Sequence, residues 1–273
     1  TKEKAEVQMQ RLAFNQALVK ARIDAADLSL MCGGDLLNQC ISTSFAARES
    51  HLPFLGLYGA CSTMAESTLV ACAFIDAGFA DKACAVTSSH FCTAERQYRF
   101  PLEYGGQRTL TAQWTATASG ALILSKEGTG PKIVYAHIGE IVDFGVSDVN
   151  NMGAAMAPAA NSTFTSFFKD TNTKPSDYDL ILTGDLGQVG SDILKELMRG
   201  DGYEMGSLYN DCGLMIYDET QDAHAGGSGC GCSAGVFCGY VMKKIYEGTY
   251  KNVLLACTGA LLSPISSFQG ESI

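Results

Sequence analysis

Apolar and polar residues along the chain follow two periods, one typical of helices and one typical of strands. Residues 2–22 carry Val7, Phe14 and Leu18 at helical spacing, which predicts an amphipathic helix. Short apolar runs predict strands at residues 28–32, 54–58, 82–88, 121–125, 132–143, 179–183, 214–217 and 252–257. Further helices are predicted at 42–49, 61–78, within 151–170, at 191–199 and up to 248, with a long polar loop at 91–111. Strands that alternate with helices indicate an α/β protein with parallel sheets and helices on both faces.

The chain also contains an internal repeat. The sequence DLSLMCGGDLLNQ at residues 27–39 matches DYDLILTGDLGQV at residues 177–189, and each is a strand that enters a Gly-Asp-Leu loop. A Cys-Ser pair followed by a helix and a strand also occurs twice, at Cys61 and at Cys232. Two similar halves packed on one another explain this repeat. The turn-forming sequence KEGTGP places their boundary, which gives halves at residues 1–130 and 131–273.

Cys61 opens the apolar helix predicted at residues 61–78, directly after the strand-like run FLGLY and a Gly-Ala turn. Thr63 and Glu66 have the spacing of a capping box, which predicts the start of this helix. A thiol in the first turn of a buried helix lies near unpaired N–H groups, which favour its thiolate. Three interpretations of Cys61 stay open: a nucleophile, a wall of a binding pocket, or a buried core residue.

The composition and charge of the chain argue against several classes of function. The chain has 273 residues, is 47% hydrophobic and carries a net charge of −10 without a basic run, which argues against a nucleic-acid partner. The eleven cysteines form no C-x-x-C pair and the four histidines are scattered, so buried reduced thiols are expected rather than a metal site. No cofactor is expected. No apolar run approaches the length of a membrane span, which predicts a soluble protein that is at most peripheral at a membrane.

Basic side chains in the first half are candidate ligands for an anion. Arg96, Arg99 and Arg108 form the one dense basic patch of the acidic sequence. Arg supplies the planar, bidentate donors that suit a dicarboxylate, but a solvated loop is the alternative interpretation. His90 lies just past a predicted strand, where parallel sheets place ligand groups, or it is an ordinary polar residue at a strand end.

Asp35 and Asp185 occupy equivalent loops of the two halves. Either could orient a pocket or meet a calcium ion, and helix capping is the role expected for Asp35. The Gly-rich loop at 226–231, which contains Ser228, lacks the spacing of a dinucleotide fingerprint. Its glycines suit a close approach of two helices, or of backbone N–H groups to an anion.

A duplicated α/β chain with Cys61 at the start of a buried helix resembles the thiolase and ketoacyl-synthase superfamily. Longer stretches resemble the stage V sporulation protein AD family, a thiolase-like family of endospore-forming bacteria. These stretches are GGDLLNQ, FLGLYGACST, SSHFCTAERQYRFPLEYGGQRT, MGAAMAPAA, LILTGDLGQVGS, AGGSGCGCSA and ACTGALLSP. The resemblance implies a thiolase-like fold with layers α-β-α-β-α, here truncated at both ends. It also implies a homodimer, by analogy with the superfamily.

The same resemblance implies a binding protein. Members of the family bind dipicolinic acid (pyridine-2,6-dicarboxylate), free or as its calcium chelate, and act with other SpoVA membrane-complex proteins. They are peripheral at the forespore and spore inner membrane and serve uptake of dipicolinic acid in sporulation and its release in germination. We expect the ligand in the cavity behind Cys61, with Cys61, His90, Arg96, Asp185 and Ser228 as the ligand-binding residues.

Condensing enzymes place His or Asn beside their nucleophilic thiolate. In this chain the corresponding loops carry Asp185 and Ser228, and an anionic Asp opposes ionisation of a nearby thiol. His224 stands two residues before the glycines, but the motif does not place it at the thiol. We therefore expect a non-catalytic protein in which Cys61 keeps the nucleophile position. The alternative is an acyl-CoA thiolase or ketoacyl-synthase-type acyltransferase that uses Cys61.

Overall fold

The computed structural model describes residues 1–98 and 106–273 of the chain. The strands are β1 Leu30–Gly34, β2 Phe54–Gly56, β3 Lys82–Ser89, β4 Trp114–Thr115, β5 Ala118–Ser125, β6 Leu180–Thr183, β7 Tyr209–Asp211, β8 Gly227–Ser228 and β9 Val253–Ala256. The α-helices are α1 Lys2–Ala21, α2 Ile41–Arg48, α3 Thr63–Asp76, α4 Phe91–Tyr98, α5 Met152–Thr171, α6 Gly187–Gly200, α7 Cys212–Met215, α8 Cys230–Val236, α9 Met242–Tyr246 and α10 Pro264–Phe268. Each long predicted helix is therefore present within a few residues of its predicted bounds.

The first sheet lies in the first half of the chain. Among the described residues it has the strand order β2-β1-β3-β5, with β1 parallel to both of its neighbours and β5 antiparallel to β3. Met31 of β1 pairs with Phe54 on one side and Cys84 on the other. All five residues of β1 are buried, which explains why its sequence is apolar without alternation.

The second sheet repeats this arrangement on a smaller scale. Over the described ranges its strand order is β7-β6-β9, all parallel, with Ile181 of β6 between Tyr209 and Leu254. β1 and β6 are therefore equivalent strands, and each leads into its Gly-Asp-Leu loop. A small parallel pair, β4 with β8, joins the halves by pairing Trp114 with Gly227.

Each half of the chain has its own apolar cluster. In the first half, α1 places Phe14 and Leu18 against Met31 and Val86 of the sheet. In the second half, the aromatic residues of α5 pack on β6 and α6, and the cluster includes Met152, Met156, Phe164, Phe167, Phe168, Ile181, Leu194 and Met198. Burial of an aromatic or large aliphatic side chain contributes about 1.5–3 kcal/mol, so α5 is the main anchor of its sheet.

The buried face of α1 differs from the predicted one. Glu6 and Gln10 are buried together with Phe14 and Leu18, whereas Val7 is only half-buried. The Glu6 carboxylate is satisfied because hydroxyls surround it: Ser42, Ser88 and Thr93 donate to it at 2.8–3.1 Å. A polar cluster replaces the apolar stripe that the spacing predicted.

Three predicted elements were wrong. The predicted loop at 91–111 begins with the helix α4, and the predicted strand at 214–217 falls in α7 and the turn after it. Residues 132–143 form no strand, and Ile138 and Ile141 are 78% and 90% exposed. This segment runs along α5 instead, where His137 Nε2 lies 2.9 Å from the Ser166 hydroxyl. An apolar run without a strand partner cannot complete its backbone hydrogen bonds in a sheet.

The start of α3 was located correctly, but its capping was not. A 3-10 turn at Ala60–Ser62 precedes the helix, and no side chain caps it in the predicted way. Thr63 Oγ1 accepts from the Gly59 N–H at 3.1 Å and donates to the Ala60 carbonyl at 2.7 Å. Glu66 therefore has no part in a reciprocal capping pair.

Candidate functional site

Cys61 lies in the 3-10 turn between β2 and α3, where the chain passes from the first sheet into the buried helix. Its side chain is 6% exposed and packs with Leu36, Ala94 and Cys230, with Tyr98 at the edge of this group. The geometry follows from Ala60, whose φ of 50° lets the chain turn sharply before the helix begins. The thiol therefore faces the second half of the molecule from the start of α3.

Asp185 is the charged residue opposite Cys61. It follows β6, is fully buried, and its Oδ2 accepts the Gly229 N–H at 2.7 Å. No donor among the described residues meets its Oδ1 with hydrogen-bond geometry. Burial raises the pKa of Asp185 to about 6, although the nearby Cys61 thiol, the Gly229 N–H and the Ser228 hydroxyl lower it in part.

The helix start does not make Cys61 a thiolate, and Asp185 opposes its ionisation as expected from the sequence. Burial raises the pKa of this thiol well above its ordinary value, and the Asp185 carboxylate raises it further. The Gly229 N–H opposes this shift, but the effect is smaller than that of burial and the neighbouring anion. A partial positive charge at a helix start contributes at most about 2 kcal/mol, which burial in apolar surroundings readily exceeds. Cys61 is a neutral thiol at physiological pH.

Ser228 completes a group of three polar side chains at this point. It lies in β8, is 3% exposed, and pairs through its backbone with Thr115. Cys61, Asp185 and Ser228 are thus brought together from three separate loops, as the sequence predicted for these three residues. A cavity of about 40 Å³ lies beside them and is lined by Leu36, Tyr58, Ala60, Cys61, Ala94, Glu95, Tyr98, Thr115, Met152, Ser228, Ala260 and Leu262.

Two tyrosines close the cavity on its outer side. The hydroxyls of Tyr58 and Tyr98 contact each other, and both approach the Leu36 carbonyl. Burial raises the pKa of both phenols, so both are neutral donors. Tyr58 is 47% exposed and separates the cavity from a wide groove of about 2440 Å³ between α3, β9 and residues 131–143. Cys61 lines the small cavity and not this larger groove.

His90 and Arg96 lie outside this cavity. His90 Nδ1 accepts the Cys92 N–H at 3.2 Å and so caps the start of α4, and burial lowers the pKa of the ring. Arg96 pairs with Glu3 of α1 at the surface. His224 is also distant, since its Nδ1 contacts the Thr109 carbonyl at 2.9 Å.

Arg108 is bound to protein groups rather than available to a ligand. Its guanidinium pairs with Glu95 at 2.5 Å, donates to the Gln113 carbonyl at 2.7 Å, and lies 4.2 Å from the centre of the Trp114 ring. Glu95 lines the cavity. Arg108, which does not line it, supplies the counter-charge of the Glu95 carboxylate. Arg99, the remaining member of the predicted basic patch, lies outside the described residues.

The role expected for Asp35 agrees with its contacts. Its carboxylate accepts the Leu37 N–H at 2.9 Å, and the N–H and hydroxyl of Thr43 at 2.8 and 2.6 Å. It therefore caps the first turn of α2 and does not reach the cavity. Within residues 1–98 and 106–273, no group of three or more His, Cys, Asp or Glu side chains is arranged to hold a metal ion.

Several residues around the cavity were not predicted from the sequence. Glu95 and Tyr98 were not predicted because the loop assigned to 91–111 hid the helix α4, and Thr115 was missed because the short strand β4 was not predicted. Once α4 is a helix, Ala94 and Tyr98 lie four positions apart on one face, and Glu95 adjoins them. Helical periodicity in the sequence FCTAERQY was therefore the signal that could have found them.

The repeated strand-loop units, the position of Cys61 and the two similar sheets define a thiolase-like fold. The chain is similar to 3-oxoacyl-[acyl-carrier-protein] synthase III from Aquifex aeolicus, with 12% identity, a TM-score of 0.62 and coverage of 93% of this chain and 80% of that one. It is also similar to cerulenin-bound OleA from Xanthomonas campestris, with 14% identity, a TM-score of 0.66 and coverage of 93% and 78%. These likenesses show the fold.

The sequence relationship is closer. The stage V sporulation protein AD family matches residues 1–273 of the chain. Stage V sporulation protein AD of Bacillus subtilis (strain 168) is 48% identical over 271 residues, which cover 99% of this chain and 80% of that protein. The chain belongs to the stage V sporulation protein AD family, a family of sporulation proteins. In its described parts, no helix is both long and apolar enough to cross a membrane.

Proposed function

We propose that the chain is a non-catalytic, dipicolinate-binding protein and that the ligand occupies the cavity at Cys61. One observation carries the proposal: the thiol at the nucleophile position is neutral and stands beside the Asp185 carboxylate. A condensing enzyme needs donors that activate the thiol and stabilise an oxyanion, and an anion does neither. Binding without covalent chemistry is what this arrangement supports.

The lining of the cavity suits an aromatic acid. Tyr58 and Tyr98 offer rings that can stack on a pyridine and hydroxyls that can donate to carboxylates. Ser228 supplies a further hydroxyl in the lining, whereas the Thr115 hydroxyl already donates to Glu95 at 3.0 Å. Among the described lining residues there is no Lys, Arg or His, so neutral donors would meet the ligand's charge. Hydrogen bonds to charged groups contribute about 1.5–3 kcal/mol each.

Binding requires the cavity to open. A space of about 40 Å³ holds roughly one water molecule, and dipicolinate is several times larger. Tyr58 is the side chain that can move, because it is 47% exposed and stands between the cavity and the wide groove. Rotation of Tyr58 away from Tyr98 would free two hydroxyls and admit the ring.

Calorimetry on the full chain tests this function. Dipicolinate should bind the wild-type protein, and Cys61→Ala should weaken binding by about tenfold, or 1.4 kcal/mol, through lost contact. Cys32→Ala is the matched control, because Cys32 is also fully buried but lies in β1 away from the cavity. Equal affinity in the Cys61 and Cys32 variants would exclude Cys61 from the site. Absence of binding to the wild type would refute the function.

The fold of the solved relatives supports a second candidate, an acyl-CoA thiolase or ketoacyl-synthase-type acyltransferase. Incubation with acyl-CoA followed by mass spectrometry tests it. A mass increase on the peptide with Cys61, absent in Cys61→Ala, would favour the enzyme. We expect no increase, because the neutral thiol is a weak nucleophile.

We further propose that the protein acts as a peripheral homodimeric subunit with other SpoVA membrane-complex proteins at the forespore and spore inner membrane. Membership of the sporulation family supports this placement. A fluorescent fusion should localise to the spore inner membrane, and light scattering should give the mass of a dimer. A fusion that stays diffuse, or a monomeric mass, would contradict the corresponding part of the proposal.

A further inference from the structure

Gln113 connects the two second-half loops that carry the polar groups of the site. It belongs to the first half, directly before β4, and is 1% exposed. Its Nε2 donates to the Asp185 carbonyl at 2.7 Å and to the Gly227 carbonyl at 2.7 Å. An amide nitrogen has two protons, so both are used on these two carbonyls.

The two carbonyls flank the site itself. Asp185 presents its carboxylate to Cys61, and Gly227 is followed by Ser228, whose hydroxyl lies near that carboxylate. One side chain therefore bonds to both the Asp185 loop and the Ser228 loop. The two loops are also joined by the Gln188 N–H to the Ala225 carbonyl and by the Gly229 N–H to Asp185 Oδ2, both at 2.7 Å. A shift of either loop would change the distance between the carboxylate and the thiol.

The backbone around Gln113 is itself held in place. Arg108 donates to the Gln113 carbonyl at 2.7 Å, and the Trp114 N–H donates to the Gly226 carbonyl at 2.9 Å. The Ala225 N–H donates to the Ala112 carbonyl at 3.1 Å. These hydrogen bonds hold the backbone that carries the Gln113 amide. A residue that positions other groups needs such support.

The second-half loop is shaped to admit this amide. Gly187 has a φ of +63°, and a Cβ atom there would lie 2.8 Å from Gln113 Nε2 and 2.4 Å from the Ala225 carbonyl oxygen. Any side chain at this position would push the Asp185 loop away from the amide. The close approach therefore depends on a glycine.

We propose that Gln113 is a positioning residue of the site, whose amide holds the Asp185 and Ser228 loops against Cys61. It touches neither the thiol nor the cavity and acts through the two loops. The inference concerns the same cavity as the proposed function, but its first test does not depend on the ligand.

The test is the pH profile of alkylation of Cys61 by iodoacetamide, followed on its peptide by mass spectrometry. The midpoint of the profile reports the charge near the sulfur, and the plateau rate reports its accessibility. In Gln113→Ala the Asp185 loop should relax away from the thiol, and the midpoint should fall by about one pH unit. Gln113→Leu should give the same direction, because an apolar side chain of similar size cannot donate to either carbonyl.

Gln10→Ala is the matched control. Gln10 is also 1% exposed and donates through Nε2 to Thr43 and Ser88, but it contacts neither of the two loops. It should lower the melting temperature to a similar extent and leave the midpoint for Cys61 unchanged. Equal midpoints in the Gln113 and Gln10 variants would overturn the proposal and leave Gln113 a purely structural residue.

Gly187→Ala keeps the test decisive if Gln113→Ala does not fold. It should move the midpoint in the same direction as Gln113→Ala, and an unchanged midpoint would again overturn the proposal. Dipicolinate calorimetry adds a second arm that rests on the proposed function: Gln113→Ala should strengthen binding by up to about tenfold near neutral pH, because the Asp185 carboxylate moves away from the anionic ligand. If the wild type binds no dipicolinate, the proposed function fails, while the alkylation profiles still decide the role of Gln113.

Discussion

Two loops of this protein have the same three residues, Gly-Asp-Leu, after equivalent central strands, yet their carboxylates have different partners. Asp35 receives hydrogen bonds on both oxygens from Leu37 and Thr43. Asp185 receives one on Oδ2, from Gly229, and its Oδ1 faces the site without a described donor. The first carboxylate bonds to the backbone of its own half, and the second lies beside Cys61 of the other half.

Asp211 takes the capping role in the second half that Asp35 has in the first half. Its carboxylate accepts the Leu186 and Gly187 N–H groups at 2.8 and 3.0 Å and the Thr183 hydroxyl at 2.6 Å. These are the kinds of contact that Asp35 makes in the first half. Because Asp211 caps the start of α6 from the neighbouring strand, Asp185 is released from capping. A repeat can therefore keep its sequence while one copy changes its role.

Replacement of Asp by Asn in each loop is expected to give the largest difference in stability between two variants. In Asp35→Asn, the amide NH₂ would face N–H donors and lose at least one of three hydrogen bonds inside the protein. We expect the free energy of unfolding to fall by about 2–3 kcal/mol. Urea denaturation measures it, with Asp185→Asn as the control. A loss in Asp35→Asn no larger than in Asp185→Asn would contradict the division of roles.

The pH dependence of stability tests the burial of the carboxyl groups. The pKa of Asp185 is raised to about 6, and those of Asp211 and Glu6 to about 7, mainly by burial. Each group holds its proton more tightly in the native state than in the unfolded state, where carboxyl groups titrate near pH 4. Their contribution is therefore fully present below about pH 4 and is lost as the pH rises through 6–7.

We accordingly expect the free energy of unfolding to fall by on the order of a few kcal/mol between pH 5 and pH 8. Urea midpoints at intervals across this range measure the change. Glu6→Gln should flatten part of the slope, because it removes one of the titrating groups. Stability that rises over the same range would show that these carboxyls are not buried as described.

Asp185→Asn sharpens the comparison at the site. Asn Oδ1 can still accept the Gly229 N–H, so stability should change by less than about 1 kcal/mol. Removal of the anion should lower the pKa of the Cys61 thiol and strengthen dipicolinate binding near neutral pH, by roughly tenfold. Alkylation profiles and calorimetry measure the two effects. Weaker binding in this variant would mean that the ligand needs the carboxylate itself.

The smallest effect is expected at the surface. Arg96 pairs with Glu3 while 52% exposed, and such pairs contribute about 0–1 kcal/mol. Arg96→Ala should change the melting temperature little and leave dipicolinate affinity unchanged. A loss of binding in Arg96→Ala would return this residue to the site and would place the ligand near α4 rather than at Cys61.

The internal repeat and the proximity of Cys61, Asp185 and Ser228 could be predicted from the sequence, whereas the boundary of the halves and the ligand-binding role of these residues stay predictions. The repeated Gly-Asp-Leu loops and the Cys-Ser pairs are local signals, and equivalent strands place such loops at equivalent ends of their sheets. The sequence alone therefore predicted that Cys61, Asp185 and Ser228 lie close together. The helix start alone favoured a thiolate at Cys61 and Asp185 was expected to oppose it, but the extent to which burial raises the pKa of this thiol could not be predicted from the sequence.

The remaining errors have long-range causes. Arg108 looked like a ligand group because its partner Glu95 lies in a helix that was taken for a loop. The contacts of Gln113 join residues more than seventy positions apart, and no spacing in the sequence indicates them. Residues 132–143 have the pattern of a strand, but strand formation needs a partner that local pattern does not specify.

A crystal structure of the protein soaked with dipicolinate tests the central claim most directly. The account predicts the pyridine ring in the enlarged cavity between Tyr58 and Ser228, with Tyr58 rotated outward and no covalent bond to Cys61. A ligand bound elsewhere, with the Cys61 cavity still closed by Tyr58 and Tyr98, would contradict it.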